Sequence, residues 1–405
     1  MSAANSTPSD VASRSEHATL RPCGVMRRWV SRLVWPDAHR FRSASTVVLH
    51  EWLAVTGGSD KVADRLARLV DADVVFTFAL DDECVADIGF DRPVVTWRFG
   101  RWAGRSRRFT YLLPVMPVVW WALDVPAART VITSSHACVN AARRTGARRL
   151  SYCHTPMRYA WEWRLEQERA PRALRPVLAP FAAILRRLDR RWSRNVDVYL
   201  ANSATIAERI GHAYRRSAEV VPPPIDVDRF PLRSTPRTLD DPFVAAGRFV
   251  PYKRFDLAVR AANRAGVALV LAGDGPDAER LESLAGPTVT IVRGPDDAGL
   301  AHLLAAARAF VFPGVEDFGM LAVEAQACGT PVIARRAGGA LDNVSDGTTG
   351  TFVDDDTVAA WADAFAAFDP AAYDPVEIRS WATRFGVDAF DRNVRGALDR
   401  MDGAA

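Results

Sequence analysis

The run FVFPGVEDFGMLAVEAQACGTPVIARRAGG, residues 310–339, decides how the rest of the chain is read. Its apolar opening stops at Pro313-Gly314, Glu316 and Asp317 occupy a loop, and a helix is predicted from near Gly319 to the Gly329 stop signal. A second apolar segment follows at 331–334. The first N–H groups of such a helix have no partner within it and its N-terminus carries partial positive charge, so it can hold a phosphate. Glu324 lies about 7 Å further along at ~1.5 Å rise per residue. That separation suits a diphosphate at the helix tip with a ribose beside Glu324. Glu316, eight positions earlier, then faces the group beyond the phosphates.

With 405 residues, 49% of them hydrophobic, the chain is long enough for two domains with separate cores. A net charge of +4 is too mild to argue for nucleic acid, although it permits contact with anionic lipid or phosphorylated substrates. Nearly all of the 52 basic residues are arginine. Lys61 and Lys253 are the only lysines, which asks for a chemical reason at both. Five scattered cysteines show no metal-ligand spacing, so a reducing compartment and no structural metal are expected. No apolar run reaches the roughly 18 residues needed to cross a bilayer and no secretory signal opens the chain, which predicts a cytoplasmic protein.

From the start, residues 1–17 read as disordered, and 1–43 as an extension outside the folded core. Within it, residues 24–36 form an amphipathic basic helix, suited to a membrane surface or to packing on the domain. Thr46–Leu49 is the first buried strand, and Gly57-Gly58 opens a helix to Val70, with a glycine turn that lets backbone approach a ligand. Further strands are expected at 74–78, 130–133, 150–153 and 196–201, an alternation that argues a parallel sheet covered by helices. Residues 97–123 mix arginines with aromatics. They read as a core helix with arginines on its wet face, with a lipid headgroup interface as the rival. The arginine-rich 172–194 segment reads as a solvated helix. His154, in YCHTPMRYAWE, follows directly on a strand, where open α/β sheets place ligand-binding residues, and Arg158 is near it. His50, His136 and His212 have weaker claims.

The prolines at 222–224 exclude a central strand or helix and lead into a linker. The expected division is 44–235 for a first domain, 236–378 for a second, and 379–405 for a C-terminal helix that crosses back to the first. The second domain repeats the alternation, with strands at 243–246, 268–272, 289–292, 309–312 and 331–334. Two α/β halves with glycine turns at strand ends predict a nucleotide cleft between them. Arg248 and Lys253, just past a strand end, are two cations able to neutralise a leaving diphosphate. The turn around Arg293 lies where a nucleobase could meet backbone groups.

Taken together, GGSDKV, YCHTPMRY, GRFVPYKRFD, LAGDGP and PGVEDFGMLAVEAQACGTPVIARRAGG resemble the family 4 retaining glycosyltransferases of the GT-B fold, over roughly residues 47–353. HTPMRY and EDFG look most like bacterial mannosyltransferases of O-antigen and other cell-surface polysaccharide. The resemblance implies two Rossmann-like domains facing each other across a nucleotide-sugar cleft. It places Glu316 against the donor sugar, Glu324 on the ribose, and Arg248 with Lys253 on the diphosphate. Phe318, Gly319 and Met320 then offer backbone amides, Gly58 belongs to the facing glycine turn, and His154 lies near the donor sugar. The extension before Thr46 is no part of this resemblance.

The expected reaction is transfer of a hexosyl unit, mannosyl from GDP-mannose, to a lipid-linked or cell-surface glycan with retention, without metal or other cofactor, at the inner face of the membrane. A sugar-nucleotide epimerase or a phosphorylase on the same fold is the rival enzyme. A non-catalytic nucleotide-binding scaffold at the membrane is the rival of another class.

Overall fold

The computed structural model describes residues 22–106, 109–162 and 175–403, so the disorder expected for 1–17 lies outside the described residues. Two parallel sheets organise the chain. The first has seven strands: β1 (Thr46–Leu53), β2 (Val74–Leu80), β3 (Val94–Thr96), β4 (Thr130–Ser135), β5 (Arg148–Cys153), β6 (Val198–Ala201) and β7 (Glu219–Val220). They lie in the order β3-β2-β1-β4-β5-β6-β7. The second has six: β8 (Phe243–Ala246), β9 (Leu269–Gly273), β10 (Val289–Arg293), β11 (Phe310–Phe312), β12 (Val332–Arg335) and β13 (Gly350–Val353). Their order is β10-β9-β8-β11-β12-β13.

Each sheet is doubly wound about its first strand, and such sheets bind ligands at the carboxyl ends of the strands, where the winding reverses. The reversal lies between β1 and β4 in one sheet and between β8 and β11 in the other. All of β2 is buried, as a strand covered on both faces should be. The apolar run of β1 looks finished at Leu49, yet the strand continues to Leu53. His50 and Glu51 extend it because their polar groups are paired inside the protein: Glu51 Oε1 accepts from the N–H groups of Ala137 (2.9 Å) and Val139 (2.8 Å).

Seven helices concern the argument: α1 (Pro22–Val34), α2 (Gly58–Leu69), α3 (Ala204–Tyr214), α4 (Phe255–Ala265), α5 (Met320–Ala327), α6 (Pro375–Thr383) and α7 (Val387–Gly403). The stretch expected as one helix over 97–123 instead breaks into helices Gly100–Arg105 and Met116–Ala122 around a 3-10 turn at Phe109–Leu112. Pro114 and Pro117 cannot continue a helix through this region. α1 is seated against the second of these helices, where the Trp35 indole donates to Val119 O at 2.9 Å. The long helix expected over 172–194 is observed as Arg175–Trp192.

The chain crosses to the second sheet after Val221 and returns at Gly386, where Ile225 N donates to Phe385 O at 2.9 Å. Beyond this return, α7 lays Phe390, Val394, Ala397 and Met401 against Val48, Leu66 and Tyr152 of the first domain. Among the described residues no helix is long and apolar enough to cross a membrane.

Candidate active site

The second domain supplies a charged wall. β8 delivers the chain into Gly247, at φ 133°, where a Cβ would stand 2.9 Å from Lys253 Nζ; the missing side chain is what lets the ammonium lie over the strand end. Lys253, in the 3-10 turn Pro251–Lys253, is nearly buried and donates to Glu316 Oε1 at 2.6 Å. Burial, the largest single influence, would lower its pKa, but Glu316, helped by Tyr252 and Glu324, more than offsets it and holds the ammonium above its ordinary value, so the charge is permanent at neutral pH. Arg248 is exposed and makes no hydrogen bond or ion pair within the described protein.

The acidic loop enters α5 through Gly319, at φ 86°, whose Cβ would collide with the Phe312 ring. No side chain caps α5, and the Asn343 amide, by donating to Phe318 O, fixes the backbone just before the first turn. The helix N-terminus is therefore available to an anion, as its position predicts. Glu324 is partly buried on α5, and burial pushes its carboxyl up, opposed by Lys61 of the other domain. Both lysines of the chain thus act on the two glutamates of this stretch. Arg293 is exposed at the end of β10, in register with Gly273, and its guanidinium is held by Asp274 and Glu282, each at 2.7 Å.

A different chemistry makes up the first domain's wall. The Gly57-Gly58 turn starts α2, and a Cβ at Gly58 would stand 2.7 Å from Met320 Sδ, so the two walls come close enough there that only a glycine fits without Met320 moving. Behind the turn, Asp60, His50, Ser134 and His154 form a continuous hydrogen-bonded line. His50 Nε2 meets Asp60 Oδ1 at 2.8 Å, His50 Nδ1 meets Ser134 Oγ at 3.0 Å, and Ser134 Oγ meets His154 Nε2 at 2.8 Å. The line exists because His50 and Ser134 are register partners on β1 and β4, and β5 ends one strand further on at Cys153. Burial and the charge of His50 push His154 down to about 3, so its ring is neutral at physiological pH. His136 lies between them, with ring centroids 5.9 Å from His50 and 5.8 Å from His154, and burial also holds it well below the ordinary value.

Asp317 ties the walls together. It accepts from Arg158, four residues past His154 in the first domain, and from Arg209 of α3 at 3.2 Å. Asp342 adds a second tie by accepting from Ala204 N at 3.0 Å. The structure thus brings His154, Arg158, Gly58, Lys253, Glu316 and Glu324 to one cleft. The sequence reading passed over Asp60, Ser134 and the bridging role of Asp317. An aspartate two positions after a glycine turn, and an acidic residue beside Glu316 with no use of its own, were the available signals. Among the described residues no group of three or more His, Cys, Asp and Glu side chains is arranged to hold a metal ion. The four cysteines whose side chains are described are free and buried.

Two family profiles match in tandem: Glycosyltransferase Family 4 over residues 56–229 and Glycosyl transferases group 1 over 234–368. The chain belongs to the GT-B glycosyltransferases. Among curated relatives, the D-inositol 3-phosphate glycosyltransferase of Mycobacterium avium is 39% identical over 178 residues, covering 39% of this chain and 42% of the relative. That of Mycobacterium tuberculosis strain F11 is 39% identical over 167 residues, covering 36% of this chain and 35% of its own length. The match thus spans about two fifths of these relatives. Among solved structures, the sucrose-phosphate synthase of Thermosynechococcus elongatus superposes with a TM-score of 0.68 at 19% identity, over 89% of this chain and 100% of the other. Anabaena HepE in complex with UDP and glucose gives 0.64 at 17% identity, over 87% and 99%. At such identities these structures speak for the glycosyltransferase's fold alone.

Proposed function

We propose that this glycosyltransferase moves a hexosyl unit from a nucleoside diphosphate sugar to an acceptor hydroxyl with retention at the anomeric carbon and without a metal ion. The bond from the anomeric carbon to the diphosphate oxygen breaks, the acceptor oxygen takes its place on the same face, and the acceptor's proton passes to the departing phosphate. The carrying observation is the buried Lys253–Glu316 pair beside the uncapped start of α5, opposite Gly58 and His154. A permanent cation and free backbone N–H groups stabilise the charge that grows on the leaving diphosphate, a contribution that usually dominates such chemistry. Arg248 adds a cation with no competing partner among the described residues. Glu324 binds the ribose hydroxyls, and Glu316 and His154 orient the sugar.

HTPMRY and EDFG favour mannosyl from GDP-mannose, delivered to a lipid-linked or cell-surface glycan. A second reading, a uridine-based donor and a phosphorylated polyol acceptor, is favoured by the names of the curated relatives and by the UDP in the HepE complex. A thermal-shift panel of nucleotide sugars separates them, since a true donor stabilises the fold in proportion to its occupancy. Stabilisation by GDP-mannose supports the first reading, and stabilisation by uridine donors alone overturns it. Turnover without any acceptor would instead indicate an epimerase.

For a lipid-linked acceptor we place the membrane at the first domain, where Trp29, Leu33, Phe99, Trp102, Tyr111, Val118 and Trp121 are all more than half exposed. The exposed Arg28, Arg32, Arg101 and Arg105 interleave with them along the chain. Aromatics mixed with arginines fit an anionic lipid surface. Phe109, packed on Trp52 at 4.9 Å, and Trp52 on His136 at 4.3 Å, connect this face to the cleft. Sedimentation with phosphatidylglycerol vesicles, lost on replacing Trp102 and Trp121 by Ser, is the expected result; equal binding by the variant removes this placement.

A further inference from the structure

The first domain's wall carries a hydrogen-bonded line that no step above has used. Three of its four members, Asp60, His50 and Ser134, are essentially inaccessible, while His154 is partly exposed and its Nδ1 makes no hydrogen bond within the described protein. We propose that Asp60, His50 and Ser134 are positioning residues for His154, and that Ser134 makes His154 Nδ1 carry a proton when His50 Nδ1 does and leaves it bare when His50 Nδ1 is bare. The inference rests on the reading above that His154 lies against the donor sugar.

The reasoning is a count of protons. The Asp60 carboxylate is an acceptor, so His50 Nε2 carries the proton between them. Asp60 is kept in its place by Gly57 N–H and the Ser59 hydroxyl, which hydrogen-bond to it, although burial pushes its carboxyl up. What remains open is His50 Nδ1. Where it is bare, it accepts the single Ser134 proton at 3.0 Å, and Ser134 Oγ can only accept from His154 Nε2–H at 2.8 Å. A neutral imidazole has one N–H, so His154 Nδ1 is then an acceptor for a sugar hydroxyl. Where His50 Nδ1 is protonated it donates to Ser134, Ser134 donates to His154 Nε2, and the proton of His154 moves to Nδ1, which becomes a donor. Among the described residues Ser134 Oγ hydrogen-bonds only to these two rings, and a buried hydroxyl proton left without an acceptor is costly. Both arrangements keep every group satisfied, whereas mixing them sets two donors or two bare nitrogens against one hydroxyl.

The titratable groups packed around the line are Glu51 on β1, Cys84 beside Asp60, His136 between the rings and Tyr152 against His154. Burial holds His136 neutral and the Cys84 thiol up at about 11, so neither charges near neutrality. Glu51, pushed up to about 7 by burial, is the neighbour whose own charge changes near neutrality.

The test is nitrogen NMR of the full chain labelled with 15N-histidine, with His50 and His154 assigned through His50→Gln and His154→Asn, across pH about 5.5 to 8.5, the range in which histidine charge changes. The expected result is agreement between the two Nδ1 atoms at every pH in the wild type, and loss of that agreement in Ser134→Ala. Disagreement in the wild type overturns the proposal, and this spectrum decides even if the variant fails to fold. In transfer assays Ser134→Ala is expected to lower kcat about tenfold, the order of one buried hydrogen bond, with donor KM little changed. The same substitution in a His154→Ala background should cost nothing further. An equal cost in that background would reduce Ser134 to a structural role. Full activity of His154→Ala would instead remove the reading of His154 against the sugar, and the spectrum would still judge the line.

Discussion

The two walls of the cleft solve opposite problems. The second domain concentrates full charges, with Lys253 against Glu316, Arg248 free and Glu324 within reach of Lys61, and it does so on loops and a helix start that follow strand ends directly. The first domain sets imidazole rings and a hydroxyl across three adjacent strands. Charge is what a diphosphate needs, and directional hydrogen bonding is what a sugar hydroxyl needs. On the proposed function, the type of side chain each domain contributes matches a division of labour between leaving group and transferred group.

The comparison breaks most decisively at Lys253. Lys253→Ala should lower kcat by about 10²- to 10³-fold, as loss of a principal donor to developing charge does, and near-normal turnover would deny the donor wall its role. Glu324→Gln sharpens the same wall by a smaller effect. The nucleoside diphosphate should bind about tenfold more weakly in calorimetry, because hydrogen bonds to a charged acceptor are worth more than those to an amide. Unchanged affinity would move the ribose elsewhere.

Asp317 tests whether the walls act as one. Asp317→Ala leaves Arg158 and Arg209 facing each other without their shared carboxylate. A loss of about 1–3 kcal/mol in denaturant unfolding is expected for a half-buried bridge broken on one side. An unchanged midpoint would make the tie incidental.

The last test concerns the first domain's wall alone. Burial raises Glu51 from 4.5 to about 7, so between those values the folded state keeps a proton that the unfolded chain has lost. Stability is therefore full below about 4.5 and declines as pH rises through 7. In Glu51→Gln this decline should be shallower by about 1–3 kcal/mol in melts at pH 5 and 8. Asp189, also raised to about 7, preserves part of the slope. Parallel pH profiles for variant and wild type would place the Glu51 proton elsewhere.

The two walls also differ in how much of them could be read from the chain alone. Most of the donor wall is local: Glu316, Gly319 and Glu324 fall within nine residues, so helix geometry relates them, and Lys253 was conspicuous through the rarity of lysine. The acceptor wall is assembled by register. His50, Ser134 and His154 are 84 and 20 residues apart in successive steps, and their proximity depends on β1, β4 and β5 being neighbours, which no local pattern encodes. His50 and Glu51 even misled, because polar residues ended the apolar run that marked β1. The parallel α/β halves were legible from alternation, whereas the break of 97–123 into separate pieces was hidden by its uniform mixture of arginine and aromatic residues.

The return of the chain at Gly386 has a mechanical meaning. Two covalent threads join the halves of the molecule, and they are fastened side by side where Ile225 meets Phe385 and Gly386. Both connections therefore lie at one place, and parting the halves requires breaking the Asp317 and Asp342 ties while the threads stay joined.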